Sequence, residues 1–186
     1  MEPTAVRILN NHRIMAISTV RPDGWPQTTI VGYVNRGFDI YFLIFRSGQK
    51  LANIQHDNRI SIAVASEPSE LKELKAVYAG AHAHEITEQA ERDEAWRLLM
   101  ERDSNLAGFK MPEAHEAAFM KATCKYVSVL DFSQGLGHGE QLIVDEGVRR
   151  SISSRIKTSG EPRTAMPGKG ASGVPGSRNG RSGGGR

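Results

Sequence analysis

Cysteine is almost absent from this 186-residue chain: Cys124 stands alone, which excludes internal disulfides and every zinc site built on paired cysteines. No run approaches the ~18 consecutive apolar residues of a membrane helix, and Met1 to His12 lacks the charged start and apolar core of a secretory signal. Both absences lead us to expect a soluble protein of a reducing compartment, the cytoplasm. Aromatic residues make up only 6%. Nucleophile elbow, P-loop, dinucleotide fingerprint and paired catalytic acids are all missing, so hydrolase and kinase readings have no footing.

What is present divides unevenly. From Arg149 to Arg186 there are nine Lys or Arg against one Glu, while the preceding residues carry 15 basic and 20 acidic groups. The last segment is rich in Gly, Ser, Pro and Arg, and its few aliphatic residues show no period, so residues 149–186 are expected to be a disordered basic tail behind a domain at 1–148. Such a tail can touch nucleic acid only weakly, through phosphate attraction without base reading. The high pI of about 9.1 belongs to it and not to the body.

Within the body, Thr4 to Asn11 reads as a short amphipathic helix, and the β-branched run from Arg13 to Val20 as a strand. Arg21-Pro22-Asp23-Gly24 combines a fixed φ, an Asx-capable side chain and a glycine, which reverses the chain into a second strand, Trp25 to Asn35. A turn at Asn35 to Gly37 leads into Phe38 to Phe45, whose continuous apolar run suits a strand covered on both faces. Ser47 precedes a short helix from Gly48 to His56; Ile60 to Ala65 and Lys75 to Thr87 read as two more strands, the latter with a glycine that marks a bulge. An amphipathic helix is expected over Glu88 to Arg102, then a second helix over Glu113 to Lys121, a last strand over Lys125 to Phe132, and a loop from Ser133 into the tail. This order predicts a mainly β, α+β protein: a small antiparallel barrel with short helices at its openings.

The segment Ile8 to Val64 resembles the split-barrel, flavin-binding family typified by pyridoxamine 5′-phosphate oxidase. The resemblance rests on IMAISTVRPDGWPQTTIV, with its xDGxP turn, and on DIYFLIFRSGQKLANIQHDNRISIAVA; it continues less distinctly through VYAGAHAHEI to KYVSVLDF. It implies a split antiparallel β-barrel, a homodimer with flavin mononucleotide (FMN) between subunits, and hydride transfer to or from the flavin. It further implies that Gln27, Thr28, Thr29 and Ile30 lie along the ring, that Leu43 and Ile44 give main-chain contacts, that Gln49 and Lys50 meet the phosphate, and that Lys75 takes the place of a glutamine donor. A helix N-terminus with a lysine in its first turn suits a phosphate on physical grounds as well.

Four positions depart from the oxidase pattern. Gln27 replaces an arginine, Gly32 a substrate-binding lysine, Ile44 a threonine and Gln49 an arginine, which leaves Lys50, Lys75 and Arg46 to neutralise a phosphate. The tryptophan and arginine-histidine signature that closes the oxidase substrate site is absent, so pyridoxal phosphate synthesis is not expected. Two alternatives remain open: a deazaflavin-dependent reductase on the same fold, and a non-enzymatic heme- or flavin-binding protein with His82, His84 or His138 as axial candidates. His82 and His84 share a strand face, but no third metal ligand has a defined spacing. Cys124 reads as a strand-buried thiol.

Overall fold

A computed structural model describes residues 2–65, 67–103, 108–145 and 148–154 of the chain. Helix α1 (Glu2–Asn10) is followed by β1 (Ile14–Val20), β2 (Pro26–Arg36), β3 (Asp39–Phe45), α2 (Gln49–His56), β4 (Arg59–Ala65), β5 (Lys75–Glu85), α3 (Gln89–Arg102), β6 (Ala117–Asp131), β7 (Gly139–Asp145) and β8 (Val148–Ser154). The strands form one antiparallel sheet in the order β3-β2-β1-β4-β5-β6-β7-β8, and a β3–β6 pairing closes the first six into a barrel. The expected split barrel with short helices is the fold observed.

The turn chemistry works locally as the sequence requires. Gly24 adopts φ +86° and donates its N–H to Arg21 O at 2.8 Å, while the Asp23 carboxylate accepts from Trp25 N at 3.2 Å. Period-two burial then fills the barrel: Met15 and Ile17 of β1, Tyr33 of β2, Ile40 and Phe42 of β3 and Ile62 of β4 are almost fully enclosed. Helix α1 packs Ala5, Ile8 and Leu9 into the same core, where Tyr33 Oη donates to Leu9 O at 2.7 Å. Helix α3 instead covers the outer face of β2 and β3, with Ala95 and Leu99 against Val34, Tyr41 and Phe119, so β3 is indeed covered on both faces.

Strand β6 corrects the expected helix at Glu113 to Lys121. Helical bonding there amounts to one turn, Glu116 N and Ala117 N both donating to Glu113 O; the chain then runs as a 15-residue strand. Alanine favours helix by propensity, but Ala118, Met120, Ala122 and Cys124 are buried at alternate positions and pair with β3 from Phe45↔Ala117 to Asp39↔Thr123. Barrel closure outweighs the local preference. The bulge expected at Gly80 is present between Gly80 and Ala81, and it brings β6 so close that a Cβ on Gly80 would stand 2.3 Å from the Tyr126 ring.

A second correction is the β7–β8 hairpin, which stands where a loop from Ser133 into the tail is expected. Tyr126 to Leu130 of β6 pair with Gly139 to Ile143, and Leu142 is buried in the main core. The expected domain boundary at residue 148 falls at the start of β8, whose pairing extends to Ser154↔Gly139. The remainder of the expected tail, 155–186, lies outside the described residues. Among the described residues no helix is long and apolar enough to cross a membrane.

Candidate functional site

The barrel is split along one side of β2. Residues Pro26 to Gly32 pair with β1, but pairing with β3 begins only at Tyr33↔Phe42. Arg21 N donates to Trp25 O and Tyr33 N to Arg13 O, which fixes the odd-numbered residues of β2 as those bonded to β1. The N–H and C=O groups of Thr28, Ile30 and Gly32 therefore point to the open side. Three residues of strand backbone are left there for a polar, flat-edged ligand.

Thr28 and Thr29 face opposite ways, as alternation demands: Thr28 is exposed and its Oγ1 lies 2.8 Å from Ser18 Oγ, while Thr29 is half-buried. Ile30 is 62% exposed on the outer face. Across the split, Leu43 lies on the outer face of β3, whereas Ile44 is buried in the barrel core.

Helix α2 is held beside this edge by a polar clamp. Asn53, fully buried, donates Nδ2 to Thr19 Oγ1 at 2.9 Å and to Gln27 Oε1 at 2.8 Å, and its Oδ1 accepts from Gln49 Nε2 at 3.0 Å. Gln27 Oε1 and Gln49 Nε2 are thus engaged in fixing α2. Sequence reading named Asn53 only as part of a pattern. Its signal was there: an asparagine between Leu51 and Ile54 on the buried face of a short helix, where a polar group persists only with partners.

The N-terminus of α2 has no side-chain cap. Lys50, in its first turn, is half-buried, and burial holds its pKa below the ordinary lysine value; among the described residues it has no ion-pair or hydrogen-bond partner. An ammonium desolvated without compensation, beside unpaired helix N–H groups, suits an anion.

The other two cations considered for a phosphate are already paired. The Arg46 guanidinium bonds the Glu85 carboxylate and Ala114 O. Lys75 Nζ donates to Asp131 Oδ2 at 2.9 Å; burial acts to raise the Asp131 pKa, but hydrogen bonds from Ser133, Lys75 and Gln134 outweigh it and hold it at about 2. Lys75 is also remote along the sheet. Its neighbour Ala76 pairs with Ala65, and Ala63 with Ala16, which sets it near the start of β1, about six residues or ~20 Å of strand from the level of Thr19 and Gln27.

The histidines are dispersed. His82 Nδ1 lies 2.9 Å from Asn58 Oδ1 on β5, which stands three places from β2 in the sheet, and His84 is exposed on the same strand. His138 borders a small polar cavity of about 100 Å³ with Asp131 and Glu140. Among the described residues no three His, Cys, Asp or Glu side chains gather as a metal site. Cys124 is buried, which pushes its thiol up to about 12 and leaves it inert.

Comparison with known proteins places this geometry. The fold matches solved structures at low identity: a candidate pyridoxamine 5′-phosphate oxidase from Listeria innocua (12% identity, TM-score 0.59, 70% of this chain and 98% of that one), an FAD-binding protein from Mesorhizobium loti (18%, 0.57, 69% and 93%) and a heme-binding protein from Mycobacterium smegmatis (14%, 0.60, 82% and 59%). No curated protein matches the sequence. The family profile described as pyridoxamine 5′-phosphate oxidase matches residues 1–131, from α1 through the whole of β6, and the chain therefore belongs to that family.

Proposed function

We propose that this protein is a homodimeric, FMN-dependent oxidoreductase acting on a small molecule other than pyridoxine phosphate. The observation that carries the reading is Lys50: a half-buried, unpartnered cation at an uncapped helix N-terminus, next to a strand edge with unpaired main-chain groups. Lys50 and the first N–H groups of α2 would hold the phosphate, and the main chain of Thr28, Ile30 and Gly32 would meet the polar edge of the ring. Bound flavin supplies a ring that accepts or releases a hydride. Thr28, Ile30, Gly32 and Leu43 carry no titratable group, so the chain contributes binding, orientation and exclusion of water rather than a proton. Gly32 has no side chain, so the lysine that the resemblance places there to hold a phosphorylated substrate is gone. A heme-binding protein shares the fold, which keeps heme as a competitor of FMN, and a deazaflavin is the other competitor that the family resemblance carries. The test is uptake by the purified chain of FMN, riboflavin, the deazaflavin coenzyme and heme, added separately. FMN binding at least tenfold tighter than riboflavin is expected; heme uptake without flavin uptake overturns the reading.

The dimer is supported by the outer face of the sheet. Ile14 (62% exposed), Ile30, Tyr78 and Tyr126 all lie there, on strands β1, β2, β5 and β6, an apolar band unusual for a surface that meets only water. Ile14→Glu should weaken self-association roughly tenfold or more, because an unpaired carboxylate would be buried between subunits, while the monomer keeps its circular dichroism. Sedimentation velocity reads the outcome, and an unchanged dimer mass would place the interface elsewhere.

A further inference from the structure

Where β2 and β3 part, a cavity of about 330 Å³ opens on the outer face beneath α3, at the low end of the roughly 300–1,000 Å³ typical of small-ligand pockets. Its wall includes Gly32 and Leu43 of the two strands, Phe45, Trp96 of α3, and Phe109. Phe45 and Phe109 are 65% and 67% exposed, large rings turned to solvent at the mouth of an apolar hollow. Lys110 is the one ionisable residue of the lining, and no carboxylate among the described residues pairs with it. The cavity adjoins the open edge of β2 at Gly32, and it exists because residue 32 has no side chain: a Cβ there would meet only Arg13 O, at 3.8 Å, leaving a larger side chain free to occupy the space.

We propose that this cavity is the substrate subsite and that it takes a planar aromatic of one or two rings bearing a single negative charge. Aromatic walls favour a flat apolar body through stacking and burial. One unpaired lysine at the rim complements one anionic substituent and rejects a cation. Glycine at position 32 leaves its share of the volume to an apolar ring. That the ligand is a substrate rests on the flavin reading; that the cavity binds it does not.

The probe is 2-naphthoate, with neutral 2-naphthalenemethanol as its uncharged counterpart, titrated against the full chain carrying Trp25→Phe so that Trp96 is the sole tryptophan. Trp25 is 71% exposed, so its replacement leaves the core untouched. Trp96 fluorescence should quench with both ligands, and naphthoate should bind about two- to fivefold tighter, the size of an exposed ion pair. Lys110→Met should erase that preference and leave the alcohol's affinity unchanged. Gly32→Leu should weaken both ligands tenfold or more with unchanged far-ultraviolet circular dichroism. Absence of quenching, equal affinities in the parent, an ineffective Gly32→Leu, or exclusion of both ligands because a second copy covers the cavity each overturns the proposal. FMN retention measured on the same sample separates the two readings: a protein that holds FMN and refuses naphthoate loses only the subsite, and one that binds naphthoate with the expected variant pattern but never holds FMN keeps the subsite and loses the flavin.

Discussion

Lys50→Ala should weaken FMN binding roughly 10- to 100-fold, the loss of one charge-assisted contact of about 1.5–3 kcal/mol, and leave riboflavin binding nearly unchanged. The two flavins share the ring and differ in the phosphate, so a difference between them isolates the helix end from the strand edge. Lys50 is the position to test because Arg46 is bound to Glu85 and Ala114 O, and Lys75 to Asp131. Its pKa is depressed by burial, so in the free protein the ammonium begins to deprotonate at lower pH than an ordinary lysine. Binding of the phosphate requires the charged form. Affinity for FMN should therefore fall as pH rises through the Lys50 pKa, and Lys50→Ala should flatten that limb of the profile. Rising salt should weaken FMN binding in the parent more than in the variant. Equal FMN affinities in parent and variant, measured by flavin fluorescence, would remove the phosphate from α2.

Much of the architecture was legible where a local rule and the tertiary fold agree. The Arg21 to Gly24 turn needs only a proline, an Asx side chain and a positive-φ glycine, all within four residues, and the strands it joins alternate visibly. Two segments were not legible, because closure of the barrel overrides them. Ala117 to Lys121 is rich in helix formers, yet it pairs with Phe45 to Tyr41 of β3 and puts Ala118 and Met120 into the barrel core. The β7–β8 hairpin is an addition to the second half of β6, and its partner is identified only once β6 is known to be long. The site residues follow the same division. Sequence places Lys50 at a helix start and Thr28 and Thr29 on opposite faces of a strand, since both depend on local periodicity. Whether a polar side chain is free depends on partners far along the chain: Gln27 meets Asn53 across 26 residues and Lys75 meets Asp131 across 56. Of the two lysines in the expected set, these contacts leave Lys50 as the one with no partner among the described residues.

Asn53→Ala should destabilise the fold by about 2–4 kcal/mol, as buried partners lose their bonds and a small cavity opens. For a domain of this size that corresponds to a melting point lower by roughly 5–15 °C. The argument is geometric. Asn53 is the single residue that touches β1 through Thr19, β2 through Gln27 and the first turn of its own helix through Gln49. Its removal strips Gln27 Oε1 of its donor and frees the N-terminal turn that carries Lys50, so FMN affinity should fall even at temperatures where the variant is fully folded. A Gln27→Ala change removes one arm of the clamp, and because the two residues share a hydrogen bond, the double variant should lose less than the sum of the single losses, by about 1 kcal/mol. Additive losses, or a melting point within about 2 °C of the parent, equivalent to about 1 kcal/mol or less, would mean that α2 is held by Leu51 and Ile54 alone. Paired with the Lys50 titration, the result also divides the two roles: Lys50→Ala changes affinity with little change in melting point, because its side chain holds nothing within the fold, whereas Asn53→Ala lowers both, because the phosphate-facing turn keeps its position only while the asparagine ties it to the strand edge beside it.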